Sequence, residues 1–222
     1  MRKRIDMRIG RWRGLAVAAT ATVLMLALAS CYIPDRFRSE LLLSRYGEYR
    51  MTFDGDLLFA PMLHDYAENK VKPEDEPERM AAVQRDLSRD PAIKSVTPHG
   101  KGRFVVHYQR EGRIGPNQLI ALLRRDAALI RMKSTEDGRI LIAANSVKPA
   151  DAEAMGKFGV GMSGEFRITT DATVLQHNAA EVRPFGAYQV YIWKIENPLS
   201  PMPRMAIARE PDPAAAATRP PQ

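Results

Sequence analysis

Apolar side chains recur at every second residue in stretch after stretch of this sequence. Tyr49-Arg50-Met51-Thr52-Phe53, Phe104-Val105-Val106-His107-Tyr108 and Glu165-Phe166-Arg167-Ile168-Thr169 all carry the pattern. Period two places one set of side chains in a core and the other in water, which is a half-buried strand. Strands are predicted over 49–53 and 57–59 with a bend or bulge at Asp54-Gly55-Asp56, and over 93–98 and 103–109 joined through Gly100-Lys101-Gly102. Residues 130–133 and 139–142 flank Asp137-Gly138 and read as a hairpin. Further strands are predicted at 165–170, 173–176, 187–195 and 204–208. Helical spacing is confined to 74–89 and 149–157. In the first, Asp75 is a candidate N-cap, Glu78 follows three residues on, and Met80, Val83 and Leu87 form a narrow apolar stripe that Asp90-Pro91 ends. Residues 117–127 suit either a short helix capped by Asn117 or a strand. The expectation is an α+β domain: a mostly antiparallel sheet of about seven to nine strands with one or two short covering helices.

A different pattern occupies the N-terminal region. Gly14 to Ala29 is apolar except for Thr20 and Thr22, and Arg2, Lys3, Arg4, Arg8, Arg11 and Arg13 precede it with Asp6 as the lone acid. Sixteen helical residues reach roughly 24 Å, short of the ~30 Å hydrocarbon core. A basic start followed by a short apolar run is the layout of a secretory signal. It ends in Leu28-Ala29-Ser30-Cys31. Here the chain resembles bacterial lipoprotein precursors, whose lipobox is an aliphatic residue, two small residues and a cysteine. The resemblance implies cleavage between Ser30 and Cys31 and acylation of the Cys31 sulfur with diacylglyceryl and palmitate-type chains. Such chains contribute about 0.8 kcal/mol per buried CH₂, so two or three hold a protein stably on a membrane. An uncleaved signal anchor with a chance cysteine at its edge is the alternative. Tyr32, rather than Asp, follows Cys31, which by the same resemblance implies sorting to the outer membrane, facing the periplasm, in a host with two membranes. The chain then divides into a signal peptide (1–30), a short tether (31–35), one α+β domain (36–209) and a disordered Pro/Ala tail (210–222).

Composition narrows the function once the signal is set aside. The whole chain carries a formal charge of +7. Residues 1–30 hold six Lys and Arg against one Asp, which leaves 27 basic and 25 acidic residues in the remainder. A remainder close to neutral gives nucleic-acid binding no support. Cys31 is the single cysteine. Assigned to lipid, it excludes disulfides, thiolate metal sites and a cysteine nucleophile.

Motifs of chemistry are scarce. Gly159, Gly161 and Gly164 spell G-x-G-x-x-G, but a helix-like segment leads in and a strand leads out, the reverse of a dinucleotide site. Ser163 is no nucleophile elbow, because Glu165 stands where that motif needs glycine. His64, His99, His107 and His177 never pair at ligand spacing. No catalytic residue, metal ligand or cofactor site is assigned. Tyr188-Gln189-Val190-Tyr191-Ile192-Trp193-Lys194-Ile195 is apolar on both faces. One face belongs on the core and the other under the 74–89 helix, a second layer or a bound apolar ligand. Tyr191, Trp193 and Ile195 form the candidate binding face. Gly164 to Thr170, His177-Asn178-Ala179 and Tyr191 to Ile195 together resemble the strand, Asn turn and Trp-bearing strand of LppM-type bacterial lipoprotein domains, small β-rich envelope domains to which lipid binding has been ascribed.

The resulting expectation is a non-enzymatic, lipid-anchored cell-envelope protein. It attaches to the membrane through acylated Cys31 and binds an amphiphile or a protein partner at the membrane surface. An assembly or scaffold lipoprotein without a pocket is the alternative, and a hydrolase of envelope polymers the third reading.

Overall fold

The computed structural model describes residues 32–123 and 129–211. Among them the elements run β1 (Tyr32–Leu43), β2 (Glu48–Phe59), α1 (Ala60–Ala67), α2 (Glu76–Leu87), β3 (Ile93–Pro98) and β4 (Arg103–Arg113). There follow β5 (Leu119–Ala121), β6 (Ile130–Ser134), β7 (Arg139–Ala144), α3 (Pro149–Lys157), β8 (Gly164–Thr170), β9 (Val174–His177), β10 (Glu181–Phe185), β11 (Tyr188–Ile195) and β12 (Arg204–Ala208). The strands make a seven-stranded sheet in the order β10-β11-β8-β1-β2-β4-β3 and a five-stranded sheet in the order β5-β6-β7-β12-β9. The α+β class stands, and the expected single sheet is corrected to two. Alternation in the sequence tells which side chains point inward, but both sheets carry the same alternation. It cannot say that β12 sits between β7 and β9 rather than beside β11. The pairing is antiparallel throughout except where β1 lies parallel to β8.

Registered rows of apolar side chains fill the space between the sheets. Leu41 lies opposite Met51 and Ile168, Ile168 opposite Tyr191, and Phe166 opposite Trp193. In the smaller sheet Met132 lies opposite Ile142, Ile142 opposite Met205, and Ile140 opposite Ile207. All belong to one contiguous core. Burying each such side chain stabilises by roughly 1.5–3 kcal/mol, which is how a domain without disulfides is held together.

Several local expectations are met and others are revised. The helix predicted over 74–89 spans Glu76–Leu87, with Asp75 in the N-cap position but its side chain making no capping hydrogen bond. Met80 and Leu87 are buried, and Gln84 Nε2 donates to the Val96 carbonyl of β3 at 2.9 Å. The open segment 117–127 resolves as strand β5 over Leu119–Ala121, while residues 124–128 lie outside the described set. Helix α1 was not predicted. It starts where Pro61, within the first turn, removes a donor that a strand would need and a helix N-terminus does not. Strand β10 was not predicted either, since its outward positions lack apolar alternation. Residues 1–31 and 212–222, and with them the expected signal peptide and lipobox, Ser30, Cys31 and nearly all of the Pro/Ala tail, lie outside the described residues.

The tether expected over 31–35 is corrected. Tyr32, Ile33, Pro34 and Asp35 are the first residues of β1 and pair with Phe59, Leu58, Leu57 and Asp56. Tyr32 is 4% exposed. Four residues without alternation read as linker, yet three of them are buried because β1 is the middle strand of the larger sheet.

Candidate functional site

The bend expected at Asp54-Gly55-Asp56 proves to be half of a two-against-one bulge. Asp35 pairs with Asp56 and Arg38 with Asp54, so Arg36 and Phe37 together face Gly55. Arg36 takes the left-handed conformation, φ 46°. Phe37 is thereby driven inward, stacked on Phe53 at 5.7 Å and edge-on to Phe166 at 4.9 Å. Two glycines make room for it. A Cβ at Gly55 would lie 2.5 Å from the Phe37 Cα, and one at Gly164 would lie 2.5 Å from the Phe37 ring. The last glycine of the G-x-G-x-x-G run therefore serves close packing.

The bulge also reverses which side chains of β1 face inward, from Tyr32 and Pro34 before it to Phe37, Ser39 and Leu41 after it, and two carboxylates are buried side by side next to it. Asp35 is 6% and Asp56 5% exposed. Arg103, at the start of β4, bridges them: Nη1 lies 3.4 Å from Asp35 Oδ2 and also donates to Asp56 Oδ2. Arg36 Nε donates to Asp56 at 2.8 Å. Ser163 donates to Asp35 Oδ1 from its backbone N–H at 3.0 Å and its hydroxyl at 3.2 Å. Each buried acid thus has a cation and further donors, the condition under which buried charge is tolerated.

Arg103 faces outward into a cleft of about 580 Å³ at this end of the sheet. Its walls are α1, the turn between β3 and β4, and the C-terminal end of α3. Leu58, Leu63, Tyr66 and Phe158 supply apolar surface, while His99, Lys101, Arg103 and Lys157 supply positive or titratable groups against Glu76. Phe158 remains 36% exposed, and its ring stands edge-on to His64 at 6.4 Å. Glu76 fixes the turn by accepting the Lys101 N–H at 2.8 Å. That bond, and then the Tyr66 hydroxyl, hold the Glu76 carboxyl below the usual carboxylate range. Burial first, then neighbouring Glu76, pushes the Tyr66 phenol up to about 12. Tyr66 therefore stays neutral at any physiological pH and presents an uncharged wall.

The sequence-predicted face has a different place. Tyr191, Trp193 and Ile195 are 7%, 2% and 2% exposed, and they pack inside the core. They are not an open binding face: strand β8 alongside and the second sheet across the core cover them. Trp193 Nε1 donates to Asn178 Oδ1 at 2.8 Å, and Asn178 also accepts the Arg204 N–H at 2.8 Å and donates to the Met202 carbonyl at 2.9 Å. The Asn turn and Trp strand thus tie the two sheets together. Helix α2 does not cover the other side of β11; it packs against β3, at the opposite edge of the sheet. That other side carries half-buried Val190 and buried Ile192, with Ile192 flanked across its ladders by Arg167 and Glu181.

Sequence reading missed the cleft because five separate segments build it. Gly100-Lys101-Gly102 stood out locally as a turn, but nothing in its spacing joins it to α1 or to Lys157 and Phe158. Among the described residues no three His, Cys, Asp or Glu side chains converge as a metal-ion group, and no helix is long and apolar enough to cross a membrane.

No family model matches the chain, and no curated protein matches it. Among solved structures it is similar to the NMR structure of the Mycobacterium tuberculosis LppM folded domain. The match has 14% identity, covers 83% of this chain and 94% of that one, and has a TM-score of 0.37. A superposition that loose transfers neither a fold nor a function.

Proposed function

We propose that this chain is a lipid-anchored cell-envelope protein whose cleft holds an amphiphile at the membrane surface by non-enzymatic binding. One observation supports the reading above the rest. The lipobox ends at Cys31, and Tyr32 is already buried and paired with Phe59 at the start of β1. A lipid on Cys31 would leave no slack, so the Tyr32 end of the larger sheet would rest at the bilayer. The cleft opens at that same end, since Leu58, Arg103 and the β3–β4 turn all border the Tyr32–Phe59 pair. Apolar Leu63 and Phe158 beside Lys101 and Lys157 suit a ligand with an acyl portion and an anionic head.

The test is native mass spectrometry of the full chain extracted from its host in mild detergent. Wild type is expected to carry lipid, and Lys101→Glu with Lys157→Glu to carry at least several-fold less. A clean apo mass for wild type would overturn the cleft's role. A Cys31→Ala chain that is processed and fractionates with membranes as wild type does would overturn the anchor.

A further inference from the structure

The two sheets turn unlike faces to the outside. On the seven-stranded sheet the outward cations have acids beside them: Arg38 with Glu40 at 2.9 Å, Arg50 with Glu111 at 3.2 Å, Arg113 with Glu48 at 2.6 Å, and Arg167 with Glu165. The five strands of the smaller sheet contain no Asp or Glu at all. Their outward rows are Leu119-Lys133-Leu141-Ala206-Gln176 and Ala121-Arg131-Ala143-Arg204. Leu141 is 40% and Leu119 42% exposed, and Lys133, Ala143 and Arg204 are open as well. Among the described residues the helices leave this face uncovered: α1 and α2 lie against β2 and β3 of the other sheet.

We propose that the outward face of the five-stranded sheet is a docking surface for an acidic amphipathic helix of a partner protein. Charge identifies the sign of the partner, because Lys133, Arg131 and Arg204 have no carboxylate on any neighbouring strand. Size identifies its form. Five strands at ~4.8 Å and five or six residues at ~3.4 Å give a face of roughly 19 by 17 Å. A helix about 10 Å across lies along it, whereas a stable domain interface takes about 800 Å² per partner. Relief fits too, since Ala206 across the ladder from Leu141 and Ala143 two residues along β7 leave a shallow trough beside Leu141 for a helix ridge. A second copy presenting the same face would set cation against cation. A bilayer surface is disfavoured because the five strands hold no Trp, Tyr or Phe, the side chains that sit at the interface.

The test uses the full chain in intact host cells, with a photocrosslinking p-benzoylphenylalanine at Leu141 or at Leu42, which is similarly exposed (43%) on the outer face of the larger sheet. Position 141 is expected to crosslink a protein whose joined peptide, sequenced by mass spectrometry, has net negative charge. Position 42 is expected to do so at least about tenfold less. Lys133→Glu with Arg204→Glu should abolish the crosslink while leaving the thermal unfolding curve in place. Should that variant fold poorly, salt raised from about 0.05 to 0.5 M on washed wild-type membranes should lower the yield several-fold. Crosslinks to lipid alone, to a second copy, to a neutral or basic peptide, equal at both positions, or absent would each overturn the proposal.

Discussion

The larger sheet keeps its irregularities inside and its charges balanced outside; the smaller sheet does the reverse. Around β1 the register breaks at Arg36, two acids are buried, and the outward cations are paired. Around β7 the ladders to β6 and β12 run without a break and the inward row is wholly apolar save Ser134; the outward cations Arg131, Lys133 and Arg204 have no acid on a neighbouring strand, and Arg139 pairs with Asp137 of the turn at 2.6 Å. Both arrangements fold, and the difference lies in how they bear on stability. A buried acid without its cation is costly, whereas an exposed cation without an acid costs almost nothing in water. The first sheet is therefore constrained by its own stability, while the second is free to carry charge for something outside itself.

The sharpest way to break this contrast is at the glycines. Gly55→Ala should be strongly destabilising, by about 3 kcal/mol or more, because its Cβ would meet the Phe37 backbone at 2.5 Å and the strand has no room to shift. Gly138→Ala in the β6–β7 turn, φ 80° with its nearest neighbour at 3.7 Å, should lose only about 1 kcal/mol from left-handed strain. Paired denaturant titrations measure both, and equal losses would erase the distinction between the sheets. Next is Arg103→Met. Removing the bridge from Asp35 and Asp56 should cost about 2 kcal/mol, moderated because Arg36 and Ser163 remain. The outward control Arg50→Met should lose under about 0.5 kcal/mol. A pH-dependent effect is expected where the ends of the two sheets meet. Burial by itself pushes the Asp171 carboxyl up, but Arg45, donating from its backbone N–H and from Nε at 2.8 Å, holds it below the usual range. A depressed carboxyl contributes stability above its unfolded value and loses it as pH falls through its folded value. Arg45→Met should thus unfold slightly more easily at neutral pH, with the gap closing below about pH 4. A thermal-melt series from pH 7 to pH 3 shows whether it closes.

Some of this was legible in advance. Alternation located β3, β4, the β6–β7 hairpin, β8 and β11 closely, because a period of two is written by the residues themselves. The α2 stripe and its Asp90-Pro91 stop were equally local. Strand β1 was not predicted at all: Tyr32-Ile33-Pro34-Asp35 has no alternation, since a central strand next to a bulge is buried on both sides, and the rest of Tyr32–Leu43 was not read as a strand either. The apolar pattern of β11 was read correctly, but its function was not. Tyr191 and Trp193 look like a binding face only while the second sheet that covers them is unknown. The cleft was invisible because Tyr66, the Lys101-Gly102-Arg103 turn and Phe158 come from different parts of the chain.

The sequence by itself determined the strand-rich class and the near-neutral charge beyond residue 30, since each depends on neighbours in the chain and on the chemistry of single side chains. Only the tertiary structure decided that there are two sheets, that the Trp193 face is core, that Asp35 and Asp56 share Arg103, and which cations lack an acid alongside. Those facts depend on which strand lies next to which. Hydrogen-bonded pairing between distant segments follows from closure of the whole core and leaves no local mark on the residues it joins.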